Sequence, residues 1–248
     1  MTRLLVVLLL ALSLAQPARA AAIAVFAAAS LTDAFDGIRA DFEKSHPGTQ
    51  VTLTTAASGD LLDRMRHGES ADVLATADTA TMDAAASGGD IAPSSRVVFA
   101  GNALVMAVPA GNPAKVRTLD DLSRGGVQRI GVGNPESVPA GRYAKRALGQ
   151  RALWYALTSK LVYFPSVRHV LAALSDRHLD AGFVYRTDAA LVPKTVDIAV
   201  TLPLSPPVTY VAALAARAPN AKEASAFLAY LTTPEARARL SGFGFTVP

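Results

Sequence analysis

The sequence predicts an α/β protein of two lobes, each a mostly parallel sheet flanked by helices, with a cleft between them. Three observations predict it. Short β-like runs alternate with amphipathic helical stretches from Ala22 onward, the pattern of largely parallel sheets. The β-like run from Arg96 to Val108 is interrupted at Gly101-Asn102, as a strand would be on leaving one sheet for another. A proline-rich stretch, Leu202 to Pro207, then precedes another strand and supplies a second crossing. Residues 21–101 and 208–248 are thus expected to form one lobe and 102–207 the other.

The first twenty residues have the pattern of a secretory signal peptide. Arg3 gives the positive start, Leu4 to Leu14 the apolar core, and Ala18-Arg19-Ala20 a small-x-small cleavage site. That core is short for a membrane span, and no later run in the sequence is longer and as apolar. After it, Ala22 to Ala28 reads as a buried strand. A helix follows, with Leu31, Ala34, Phe35, Ile38 and Phe42 on one face, and His46-Pro47-Gly48 ends it. Val51 to Thr55 is a strand, Leu61 to Met65 part of a short helix, Val73 to Thr76 a strand, and a helix then runs to Gly88-Gly89. Beyond the interrupted run and the Pro109 to Pro113 loop, strands are expected at Arg129 to Val132, Lys160 to Phe164 and Ala181 to Val184, with helices between. Val208 to Ala215 is a strand, and Lys222 to Ser241 is helical, with Ala224, Phe227, Leu228 and Leu231 on one face.

Composition excludes several functions. The formal charge of +4 falls to +2 without Arg3 and Arg19, and the basic residues are scattered with no aromatic interleaving, which argues against nucleic acid. The chain has no cysteine, hence no lipobox and no zinc-ribbon ligands. Its four histidines are dispersed, and neither a G-x-S-x-G elbow nor a P-loop is present. Gly131-Val132-Gly133 follows a strand, but Glu136 stands where a dinucleotide loop needs its third glycine. The expectation is a binding protein, not an enzyme, with no cofactor.

One pattern recurs instead. Four times a strand ends in small or hydroxyl residues and a helix begins at once: at Ala27-Ala28-Ala29-Ser30, Ala56-Ala57-Ser58-Gly59, Val138-Pro139-Ala140-Gly141 and Phe164-Pro165-Ser166-Val167. Taken singly, Ser30, Ser58 and Ser166 are helix caps, and Asp33, Asp60 and Asp188 are ordinary first-turn acids. Taken together, the four helix starts lie where strand carboxyl ends converge on a ligand crevice. Helix N-termini present unpaired N–H groups and the positive end of the helix dipole, and small residues allow close approach. The pattern points to a small oxyanion.

These residues resemble the periplasmic molybdate-binding proteins of ABC importers. The resemblance covers essentially the whole chain after Ala20. It is carried by Val25-Phe26-Ala27-Ala28-Ala29-Ser30-Leu31-Thr32, by Gly133 to Ala144 with its Val138-Pro139-Ala140-Gly141-Arg142-Tyr143-Ala144 run, by Gly182 to Ala189, and by Gly242-Phe243-Gly244-Phe245. It implies the two-lobed type II periplasmic-binding-protein fold and a periplasmic monomer. It also implies bound molybdate or tungstate, with sulfate the nearest alternative, and an inner-membrane ABC permease as partner. The ligand contacts it implies are the hydroxyls and backbones of Ser30 and Ser58, the amides of Ala140 and Val167, and the phenol of Tyr185. Arg142 and Arg168, the tempting counter-charges, are expected to stand behind these contacts. The sequence departs from the usual family pattern at Pro165-Ser166 and at Ala57, which lacks a hydroxyl.

Overall fold

A computed structural model describes residues 21–248, and the leader expected over residues 1–20 lies outside the described residues. The first strands are β1 (Ala21–Ala28), β2 (Thr49–Ala56), β3 (Val73–Thr76) and β4 (Val97–Asn102). After them come β5 (Leu104–Pro109), β6 (Ile130–Gly133), β7 (Leu161–Phe164), β8 (Ala181–Tyr185), β9 (Val196–Thr201) and β10 (Val208–Leu214). They form two five-stranded sheets, ordered β2-β1-β3-β10-β4 and β7-β6-β8-β5-β9.

In each sheet a single strand runs against the rest. β10 is antiparallel to both β3 and β4, and β5 is antiparallel to both β8 and β9. These two reversed strands are the ones that follow the crossings between sheets. The chain leaves the first sheet at Asn102, enters the second at Leu104, leaves it at Thr201 and returns at Val208. The interruption at Gly101-Asn102 is therefore a change of sheet. The C-terminus pins this crossing: the Gly101 amide donates to the Thr246 carbonyl at 2.7 Å, and the Thr246 amide to that of Gly101 at 3.0 Å.

The helices are α1 (Thr32–Ser45), α2 (Ser58–Arg66), α3 (Thr79–Ser87), α4 (Pro139–Gly149), α5 (Leu153–Ala156), α6 (Val167–Ser175), α7 (Arg186–Leu191), α8 (Ala221–Tyr230) and α9 (Pro234–Gly242). α1 buries Ala34, Phe35, Ile38 and Phe42, the face expected from their spacing. The returning α8 packs on it through Phe227, whose ring meets Phe42 edge-on at 5.2 Å and Phe35 at 6.2 Å. Each such buried aromatic contributes roughly 1.5–3 kcal/mol, which fastens the return segment to the first lobe.

Two local expectations need correction. The stretch from Lys222 to Ser241 is two helices, because Pro234 has no N–H to continue α8 and its ring would crowd the preceding turn. Thr233 instead caps α9, its hydroxyl accepting from the Ala236 amide at 3.3 Å. The sequence reading also passed over β9, an edge strand at Val196–Thr201 whose Ile198 stays exposed.

Candidate functional site

β1, β2, β7 and β8 each run straight into a helical turn, and β6 does so after the Asn134 to Val138 loop. Where these ends meet, one small, tight pocket is lined by Ser30, Ser58, Ala140, Val167 and Tyr185 together. All five nominated residues thus come to one place, two from the first sheet and three from the second. A larger cleft bounded by Leu119, Arg151 and Leu202 lies elsewhere on the surface. It offers only solvent-exposed polar groups such as the Arg151–Asp120 pair, so it lacks the convergent buried donors of the small cavity.

The serines are not caps. No side-chain cap bond is made at the helix starts beside Ser30, Ser58 or Ser166. The Ser58 hydroxyl, fully buried, accepts from the Ala77 amide at 3.1 Å. Ser30 is bonded to the Tyr210 hydroxyl at 2.8 Å, and Ser166 to Nδ1 of His169 at 2.8 Å. Tyr185 ends β8, and its hydroxyl is buried with no protein partner. A buried hydroxyl left unpaired costs about 1–3 kcal/mol, so its position asks for a ligand acceptor. Burial pushes the Tyr185 phenol well above its ordinary range, which keeps the proton it has to donate.

The amides complete the lining. Ala140 and Val167 occupy the first turns of α4 and α6, where no intrahelical acceptor exists. Pro139 at the first position of α4 has no amide of its own, which leaves that of Ala140 as the first donor. No lysine, arginine, aspartate or glutamate lines the cavity.

The two arginines stand behind it and tie the lobes together. Arg142 on α4 pairs with Asp78 at 2.8 Å and donates to Thr81 at 2.6 Å, both beside α3 in the other lobe. Arg168 on α6 pairs with Asp33 of α1 at 2.7 Å and reaches the Ser30 carbonyl at 3.5 Å. Its Nε also lies 2.8 Å from Asp188, too poorly aligned for a hydrogen bond, so that contact is one of charge. Burial raises the Asp188 carboxyl to about 6 against the lowering pull of Arg168. Its other oxygen accepts from the Tyr185 amide at 3.1 Å and so holds the end of β8. A backbone bond joins the lobes directly, from the Gly59 amide to the Ser137 carbonyl at 2.9 Å. Sequence reasoning missed Asp78, Asn102 and Tyr210, which only the tertiary fold brings near the serines.

Residues 23–246 match the family model described as bacterial extracellular solute-binding protein. The chain belongs to that family. Its members bind solutes and are not enzymes. The molybdate-binding protein ModA of Escherichia coli strain K12 is 36% identical over 233 residues, covering 91% of this chain and 89% of that protein. The periplasmic molybdate-binding protein of Azotobacter vinelandii superposes with a TM-score of 0.77 at 21% identity, covering 91% and 99% of the two chains. The sulfate-binding protein SubI of Mycobacterium tuberculosis H37Rv does so at 0.79 with 19% identity, covering 91% and 86%. These structural likenesses show the two-lobed fold of the family. Among the described residues no cluster of histidine and carboxylate ligands could hold a metal ion, and no helix is long and apolar enough to cross a membrane.

Proposed function

We propose that the protein captures molybdate, or tungstate, in the periplasm and delivers it as a monomer to an ABC permease. The lobes are residues 21–101 with 208–248, and residues 102–207. The ligand contacts are the hydroxyls of Ser30, Ser58 and Tyr185 and the amides of Ser30, Ser58, Ala140 and Val167. The observation that carries this reading is the uncharged lining, in which the hydroxyl residues Ser30, Ser58, Ser166 and Tyr185 meet the first turns of several helices around a pocket without any carboxylate. A fully deprotonated tetrahedral dianion fits it. Monohydrogen phosphate brings a proton that needs an acceptor, and leaving it unmatched costs about 1–3 kcal/mol.

Magnitudes allow it. Hydrogen bonds to a charged partner contribute roughly 1.5–3 kcal/mol each, while a micromolar complex needs about 8 kcal/mol net. Several such bonds, with about 0.3–1 kcal/mol from each helix dipole, offset the desolvation of the dianion. Sulfate is the second reading, because it too carries no proton; only its smaller size sets it apart in a cavity already closed by interlobe contacts.

Titration calorimetry against molybdate, tungstate, sulfate and phosphate tests the proposal. Molybdate and tungstate should bind at micromolar affinity or better, and at a hundredfold excess over Kd should stabilise the fold by about 2.7 kcal/mol. Equal affinity for sulfate would overturn the ligand assignment. Tyr185→Phe should weaken molybdate binding about 10- to 100-fold, the loss of one charge-assisted bond. The ligand-free variant should be no less stable than wild type, since the deleted hydroxyl has no partner there. Unchanged affinity would remove Tyr185 from the contacts.

A further inference from the structure

Behind Ser30 lies a short chain of polar groups that the ligand contacts do not include. Asn102, the last residue of β4 before the crossing, accepts from the Ala103 amide through Oδ1 at 2.9 Å. That bond fixes the amide orientation and turns Nδ2 towards the Thr187 hydroxyl at 2.9 Å and the Tyr210 hydroxyl at 3.4 Å. Tyr210 on β10 is fully buried, its ring held by Phe245 at 5.3 Å, Tyr185 at 5.9 Å and Phe99 at 6.2 Å. Its hydroxyl contacts Ser30 Oγ at 2.8 Å. Tyr210 does not line the cavity.

The direction of these bonds can be assigned. Asn102 Nδ2 is only a donor, so the Tyr210 oxygen accepts from it. The Tyr210 proton then has one acceptor within reach, Ser30 Oγ. Ser30 Oγ, occupied as an acceptor from behind, has its own proton free for the cavity. Ser58 is arranged in the same way by the Ala77 amide.

We propose that Tyr210, oriented by Asn102, is a positioning residue for oxyanion selectivity: by donating to a lone pair of Ser30 Oγ it keeps the Ser30 proton from turning back and commits that proton to the cavity. This rests on the oxyanion-binding reading above and deepens it. Without the Tyr210 hydroxyl, the Ser30 proton can turn away from the cavity and present the oxygen as the acceptor of a protonated anion. Discrimination against monohydrogen phosphate then depends on a hydroxyl that touches no ligand.

The test is calorimetric titration of wild type and Tyr210→Phe with sodium molybdate and with inorganic phosphate. The pH is about 8, above the second ionisation of phosphate. Phenylalanine keeps the ring packing. Tyr210→Phe should weaken molybdate binding about five- to tenfold while phosphate binding stays level or tightens, so the ratio of affinities falls at least about fivefold. In a Ser30→Ala background the same substitution should change neither affinity, because its effect passes through Ser30. Equal weakening of both anions, or a full effect in the Ser30→Ala background, overturns the inference. If Tyr210→Phe fails to fold, Asn102→Asp is the second variant. It turns the donor into an acceptor and reverses the chain, so the ratio should fall even as the added charge weakens both anions; an unchanged ratio overturns the inference. A wild type that takes sulfate in place of molybdate defeats the ligand assignment alone, and the cycle is then read on sulfate. A wild type that binds no dianion defeats both.

Discussion

Gly59→Ala should weaken oxyanion binding by about a hundredfold or more while leaving the ligand-free protein as stable as wild type, or slightly more so. Gly59 sits in the first turn of α2 with no unusual backbone angle, so within its own lobe an alanine is acceptable and gains up to about 1 kcal/mol of helix propensity. The obstacle lies across the cleft. A Cβ at this position would stand 2.7 Å from the Ser137 Cα and 2.8 Å from the Ser137 carbonyl oxygen. Both are backbone atoms and cannot rotate away. The lobes must therefore stand apart by several tenths of an ångström, which also stretches the Gly59–Ser137 hydrogen bond. Every ligand contact that spans the cleft lengthens with it, and hydrogen bonds weaken steeply with distance and misalignment. A hundredfold loss corresponds to about 2.7 kcal/mol. Calorimetry with molybdate and a thermal melt of the ligand-free variant check the two halves. Wild-type affinity would show that the closed contact is not needed for binding, and a lowered melting temperature would place the clash inside one lobe.

This separation of closure from folding follows from how the lobes are joined. Many of the interlobe contacts are polar, among them the Gly59–Ser137 backbone bond, the Asn102–Thr187 bond and the Arg142–Asp78 and Arg168–Asp33 pairs, whose arginines are about a quarter exposed. Partly exposed pairs are screened and contribute little net stability. Such an interface can open and close, and on the proposed reading a dianion held by donors from both sides supplies the remaining attraction. Arg168 links the two functions, because the same guanidinium faces Asp33, the Ser30 carbonyl and the Asp188 carboxylate that holds Tyr185. It positions contacts in both lobes without entering the cavity.

What could be read from the sequence was what local chemistry dictates. The spacing of Phe35, Ile38 and Phe42 announces the buried face of α1, and the Gly101-Asn102 break announces the change of sheet. The helix starts at Ser58, Ala140 and Val167 stand out because small residues follow strands there. The roles of the serines did not show. A serine before a helix looks like a cap in any sequence, and only the fold reveals that Ser58 Oγ is taken by Ala77 and Ser30 Oγ by Tyr210. Tyr210 lies 180 residues from Ser30 in the chain, and Asn102 lies 108 from Tyr210, so no periodicity could connect them. β9 was overlooked for a simpler reason: an edge strand with Ile198 exposed carries a weak pattern. The α8–α9 break was legible, since Thr233-Pro234 is a cap followed by a first-turn proline, but the apolar face of α8 masked it.

Gly141→Ala, by contrast, should damage the fold itself. Gly141 is the third residue of α4, and a Cβ there would overlap the Gly133 carbonyl oxygen, stand 2.7 Å from the Gly133 carbonyl carbon and 3.2 Å from the Pro135 nitrogen. All are backbone atoms of the same lobe. The close approach exists because the chain doubles back on itself here: the Asn134 amide donates to the Phe164 carbonyl at 2.8 Å and the Val138 amide to the Asn134 carbonyl at 2.7 Å. Moving the loop breaks those bonds, and moving α4 instead drags Ala140 out of the cavity. Alanine again gains up to about 1 kcal/mol of helix propensity. Overpacking against fixed atoms costs about 1–3 kcal/mol and more where nothing can yield, so the clash wins. A net loss of about 2–3 kcal/mol lowers the melting temperature by about 4–12 °C in a chain of this size. Binding should fall with it, and excess molybdate should restore only part of the stability, because the Ala140 amide no longer meets the ligand. A variant that melts at the wild-type temperature would mean that the Gly133 loop gives way freely. One that melts low yet binds at wild-type affinity would remove the Ala140 amide from the contacts.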